Sequence, residues 1–119
     1  MSRDPIMTDE IKKKMALYEP KLKNCIKTGD AKVAEKYITR IQNVLKDKGY
    51  QTRLAKDKNL YFETLIEAGF YTRAISGLIG NRNKVSKNSR IYLESTSLLA
   101  IAYIKNNEIN IAQKYIVSA

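Results

Sequence analysis

At 119 residues, with 44% apolar and 29% charged side chains, the chain is long enough to bury a core and too apolar to remain disordered. Its 22 basic and 12 acidic residues leave a net charge of +10, which favours acidic partners: nucleic acid, an acidic protein or an anionic surface. There is no histidine and Cys25 is the only cysteine, which removes the commonest general base, the commonest metal ligand and any internal disulfide.

In chain order, the first helical pattern is Ile11, Met15, Leu22 and Ile26, interrupted by Pro20, which is expected to kink or split it near Glu19. Gly29 then suits a helix end where the chain turns through positive φ, and Asp30 suits the positive start of the next helix. Val33, Tyr37, Ile41, Val44 and Leu45 continue at helical spacing as far as a connector near Asp47 to Tyr50. Leu60, Phe62, Leu65 and Ile66 lead to a second turn at Gly69, followed by Ala74 and Leu78. A polar connector spans Gly80 to Ser89, where Ser86, Asn88 or Ser89 is placed to cap the following helix. Ile91, Tyr92, Leu98, Leu99 and Tyr103 precede a third turn at Asn107, after which come Glu108, Ala112, Tyr115 and Ile116.

The three turns align without gaps. An apolar residue stands four before each (Cys25, Leu65, Tyr103), an alanine five after (Ala34, Ala74, Ala112), and an aliphatic nine after (Ile38, Leu78, Ile116). A small residue at the fifth place lets two antiparallel helices approach, and the residue four further on shares its face. The spacing predicts an all-α chain of about six helices, arranged as three antiparallel hairpins over approximately 9–48, 50–81 and 88–119.

An apolar residue followed by Gly at +4, Ala at +9 and a large apolar residue at +13 resembles the central part of the tetratricopeptide repeat. The third copy fits best, with Leu99-Ala100, Tyr103, Ala112, Ile116 and Ala119. It departs from that family in lacking Trp and a closing Pro, in its longer period, and in carrying Leu22 and Phe62 where a small residue is usual. The resemblance implies an α-solenoid whose first helices line a concave binding face. The motif's outward positions carry over to Glu19, Lys23 and Lys27, then Asn59, Glu63 and Glu67, then Ser97, Ile101 and Lys105. It also implies that the last hairpin exposes a core face, so Ile109, Ile111, Ile116 and Val117 are expected to meet a partner, a second copy or a continuation of a longer array.

Chemistry for catalysis is sparse. Cys25 stands at a packing position and is expected to be a buried thiol; Glu63 and Glu67 share a helix face but read as solvated. Gly77 and Gly80 lack the pattern of a phosphate-cradling loop, no residues show metal-ligand spacing, and neither an enzyme nor a cofactor is expected. The longest apolar run, Leu98 to Ile104, falls well short of the roughly 20 residues of a membrane span. The opening Met1 to Pro5 lacks the apolar stretch of a secretory leader, so the expected compartment is the cytoplasm.

Two functions follow as expectations. The first is a scaffold that binds a peptide or helix of a protein partner. The second is DNA or RNA binding through the interval from Arg73 to Arg90, where Arg73, Arg82, Lys84, Lys87 and Arg90 occur without an acidic residue between them. Gly80 to Val85 lacks the apolar spacing of a DNA-reading helix-turn-helix, so this second reading rests on charge.

Overall fold

The computed structural model describes residues 4–46 and 48–118, with the side chains of Val117 and Ser118 outside that description. Among the described residues the chain is all-α: α1 (Asp9–Thr28), α2 (Ala31–Leu45), α3 (Gln51–Glu67), α4 (Tyr71–Arg82), α5 (Arg90–Lys105) and α6 (Ile109–Ser118). None of these helices is long and apolar enough to cross a membrane.

The three aligned turns have one backbone geometry. Gly29, Gly69 and Asn107 take φ of 66°, 87° and 62°, the left-handed region that glycine enters freely and asparagine tolerates best among the rest. The residue after each turn donates its N–H back to the carbonyl four before the turn: Asp30 to Cys25 at 3.3 Å, Phe70 to Leu65 at 2.9 Å, Glu108 to Tyr103 at 2.8 Å. These bonds satisfy carbonyls that a helix end otherwise leaves open. Asp30 then caps α2 by accepting from the Val33 N–H at 3.1 Å, and Ser89 caps α5 by accepting from Tyr92 at 3.1 Å. Of the three candidate caps for α5, Ser89 is thus the one used.

The small position of each turn does what its size permits. Ala34, Ala74 and Ala112 are all fully buried where their two helices meet. In the second hairpin a further close approach depends on Gly77, because a Cβ there would stand 2.2 Å from the Phe62 ring.

Helices α1, α3 and α5 form one layer, with α3 packed on both α1 and α2, and α5 packed on both α3 and α4. Each hairpin therefore seats the first helix of the next one in its groove, while the backbones of α2 and α4, and of α4 and α6, stay apart. The core divides along the same joints. One cluster holds Met15, Leu22, Ile38 and Ile41 with Leu54, Leu60 and Tyr61 of α3 against it; the other holds Leu65, Ile66, Ala74 and Leu78 with Leu99 and Ala102 of α5.

The split expected at Pro20 does not occur. Helix α1 runs unbroken through it, because Pro20 is exposed and solvent can take up the carbonyl that its missing N–H leaves unpaired. The connector expected from Asp47 to Tyr50 is described from Lys48 onward; Asp47 lies outside the described residues.

Candidate functional site

The surface that stands out is the outer flank of α5 and α6. Leu93, Ile104 and Ile116 are 52, 44 and 55% exposed. Counted from the turns, these positions match Met15 and Ala55, Ile26 and Ile66, and Ile38 and Leu78 in the earlier hairpins. Five of those six are buried and Ile26 is half-buried. The difference lies in the neighbour: α3 covers the first hairpin and α5 covers the second. Ile109 behaves the same way, since its counterparts Ala31 and Tyr71 are half-buried against the second core cluster while Ile109 is exposed.

Ile111 is a different case. Its counterparts Val33 and Arg73 are also exposed, so Ile111 occupies a position that faces solvent in every hairpin. The side chain of Val117 lies outside the described residues. Leu93 and Ile104 escaped the sequence reading, although counting back from Asn107 to the positions of Met15 and Ile66 would have found them.

Most of the expected concave face lies at the surface, on the layer of α1, α3 and α5. Lys23, Lys27, Glu67, Ser97, Ile101 and Lys105 are exposed, and Lys105 reaches across from α5 to pair with Glu67 at 3.8 Å. Glu63 is partly buried; burial first, and then the charges of Glu67 and Glu94, hold its carboxyl above the ordinary value. Asn59 does not belong to this face. It is buried, its Nδ2 donates to the Ile91 carbonyl at 3.5 Å, and its Oδ1 accepts from Asn81 at 2.9 Å and from Ser95 at 3.1 Å. Asn59 is a polar key joining α3, α4 and α5, and no partner can reach it without opening that joint.

The joint between the first two hairpins holds a charged counterpart. Arg53 donates through Nε at 2.7 Å and through Nη2 to the two oxygens of Glu19, a bidentate pair that also clasps α1 to α3. Behind it stands Asp57, buried, with Oδ2 unpartnered among the described residues. Burial pushes the Asp57 carboxyl up to about 8, reinforced by its contact with Glu19. Burial opposes ionisation of Glu19 as well, but hydrogen bonds from Arg53 and Asp57 outweigh it and hold Glu19 below its ordinary value. The two carboxyls are thus pushed in opposite directions, with the Arg53 guanidinium beside Glu19. A cavity of about 710 Å³ opens beside this joint, lined by Met7, Met15, Tyr50 and Ile91 together with Lys12 and Lys56. The segment before α1 folds over its rim: Asp4 accepts from the Thr52 and Arg53 N–H groups at 3.1 and 2.8 Å, capping α3 in place of Tyr50.

The basic interval is scattered. Arg73 donates to the Tyr61 hydroxyl at 3.2 Å and lies over the Phe70 ring. Arg82 is enclosed between the rings of Tyr92 and Tyr115 and donates to the Thr96 hydroxyl at 3.2 Å, so its guanidinium serves the packing of α4 on α5 and α6. Lys84, Lys87 and Arg90 remain exposed. Cys25 is buried, its thiol donating to the Lys21 carbonyl at 3.2 Å; burial, then Asp30, pushes the thiol up and leaves it unreactive. Among the described residues no three acidic, Cys or His side chains gather as metal ligands.

No protein-family model, no curated protein and no solved structure matches the chain.

Proposed function

We propose that the protein is an interaction module that receives an amphipathic helix of a partner polypeptide against the open flank of α5 and α6. One observation supports this reading above others: the array seats a helix in the groove of its first hairpin and another in the groove of its second, and the third groove presents the same aliphatic positions uncovered. Leu93, Ile104, Ile109 and Ile116 would be the anchors of that seat, as their counterparts are under α3 and α5. The resemblance to tetratricopeptide arrays points the same way. A second copy of the chain makes a poorer occupant. The remaining exposed large apolar residues (Ile6, Leu17, Val33, Phe70, Ile79, Ile101 and Ile111) are spread over separate elements, and no helix carries more than one of them. The net charge of +10 favours a partner helix whose polar face is acidic.

Nucleic-acid binding through Arg73 to Arg90 draws less support, because Arg82 is committed to the fold and Arg73 to Tyr61 and Phe70.

The test compares partners captured from the native host by the wild-type chain, by Ile104→Glu with Ile116→Glu, and by Leu17→Glu as a surface control. Helical content and monomer mass are checked for each. A polypeptide retained by wild type and control but lost with the double variant is the expected result. Retention by all three, or a wild-type dimer that the double variant dissolves, would reject a partner helix at this flank.

A further inference from the structure

A second cleft, of about 320 Å³, lies on the other side of the array between α2, α3 and α4. It is independent of the α5–α6 flank. Two cationic side chains meet there: Lys58 from α3 and Lys84 from just beyond α4, together with Gln42, Ser76 and Tyr61. No acidic residue lines the cleft, and neither lysine has an ion-pair partner among the described residues.

Such an arrangement works against folding. Lys58 is partly buried, and it shares the cleft lining with the exposed Lys84. Burial first, and then the charge of Lys84, lowers Lys58 below the ordinary lysine value. A partly buried ammonium beside a second cation is ordinarily accompanied by a counter-charge, because desolvation and repulsion both oppose its charged form. Elsewhere the protein provides one: Arg53 has Glu19, and Lys105 has Glu67. Here the counter-charge is missing and the space for it is present. The position of a Cβ on Gly80, which lines the cleft, has no atom within 4 Å.

We infer that this cleft is a binding site for a small phosphate-type dianion, held between the ammonium groups of Lys58 and Lys84 with the Ser76 hydroxyl and the Gln42 amide as neutral donors. A dianion matches two cations, and several donors from different helices give the convergent geometry that a tetrahedral oxyanion uses. The volume leaves room beyond the phosphoryl group for a small organic substituent.

The experiment is calorimetric titration of the whole chain with inorganic phosphate and with AMP at constant ionic strength, alongside thermal unfolding in chloride and in phosphate. Saturable phosphate binding is expected, weakened about tenfold or more in Lys58→Met and in Lys84→Met, the loss appropriate to one charge-assisted hydrogen bond. In chloride the same variants should melt at or above the wild-type temperature, since each relieves the repulsion. Lys114→Met, remote from the cleft, should bind as wild type does. Tighter binding of AMP than of phosphate would identify a phosphorylated metabolite; equal binding would identify the free ion. The proposal falls if phosphate gives no saturable heat, or if Lys114→Met weakens binding as much as the cleft variants do. It falls equally if a thymidine oligonucleotide binds far more tightly per phosphate than AMP and depends on the same lysines, which would make the cleft part of a nucleic-acid surface.

Discussion

The second and third hairpins carry an aliphatic side chain at the same place, nine residues after the turn. Leu78 is fully buried there and Ile116 is 55% exposed. Nothing local separates them: both follow a left-handed turn residue and a fully buried alanine. What differs is the next helix, since α5 lies on the second hairpin and no helix among the described residues lies on the third. In a stacked array the burial of a residue belongs to the joint it faces as much as to its own hairpin.

The comparison is broken most directly by truncating both residues. Leu78→Ala should cost about 2–5 kcal/mol by denaturant unfolding, through lost transfer energy and the cavity left behind. Ile116→Ala should stay within roughly 0.5 kcal/mol in the monomer. A large loss at Ile116 that grows with protein concentration would show the flank already covered by a second copy.

The two covered joints also differ from each other. The first contains the titrating carboxyls Glu19 and Asp57, and the second contains the neutral Asn59, Asn81 and Ser95. Because the folded value of Asp57 is raised, the folded chain binds more protons than the unfolded chain between about pH 4 and the folded value of about 8. Its contribution is fully present below that window and is lost as pH rises through about 8. Melting temperature should therefore fall from pH 5 to pH 9, and Asp57→Asn should flatten that fall. Glu19, held low, acts on the acid side and loses its contribution as pH drops below the ordinary carboxylate range. An unchanged slope in Asp57→Asn would place the alkaline sensitivity outside this joint.

How much of this was legible in the sequence follows from the range of each determinant. The turns at Gly29, Gly69 and Asn107, the buried alanines and the six helices were legible because backbone conformation and i, i+4 spacing are local. The unbroken α1 was not, since whether Pro20 breaks a helix depends on which side of it meets solvent. Asn59 was misplaced onto the concave face because its partners, Asn81 and Ser95, come from other helices. The open flank was half legible: Ile109 and Ile116 followed from the motif, whereas Leu93 and Ile104 required knowing that α5 presents a bare side. The meeting of Lys58 and Lys84 was invisible, because 26 positions separate them along the chain and only the packing of α3 on α4 brings them together.

Within the second hairpin, two glycines on α4 sharpen the same point on a smaller scale. Gly77→Ala must move the Phe62 ring, which should cost about 1–3 kcal/mol as overpacking. Gly80→Ala meets nothing and should gain up to about 1 kcal/mol from helix propensity. Opposite signs three residues apart would establish that α3 and α4 touch along one line only. Equal signs would mean that Phe62 swings aside freely.

The smallest expected effect concerns how the third hairpin begins. Ser89 accepts from the Tyr92 N–H at 3.1 Å and donates to the Ser86 carbonyl at 2.7 Å, so one hydroxyl both caps α5 and closes the connector before it. Ser89→Ala should cost about 1 kcal/mol, the ordinary value of a lost N-cap, as should Asp30→Ala at the start of α2. The two differ in consequence. Helix α2 packs on α1 and α3, whereas α5, packed on α3, α4 and α6, leaves Leu93 of its first turn exposed on the open flank. Loss of the Ser89 cap should therefore raise amide exchange in the first turn of α5 more than loss of the Asp30 cap raises it in α2, at equal cost in global stability. Equal exchange at the two sites would mean that the open flank leaves α5 no looser than its covered counterpart, and that a partner helix would meet a surface already rigid enough to receive it.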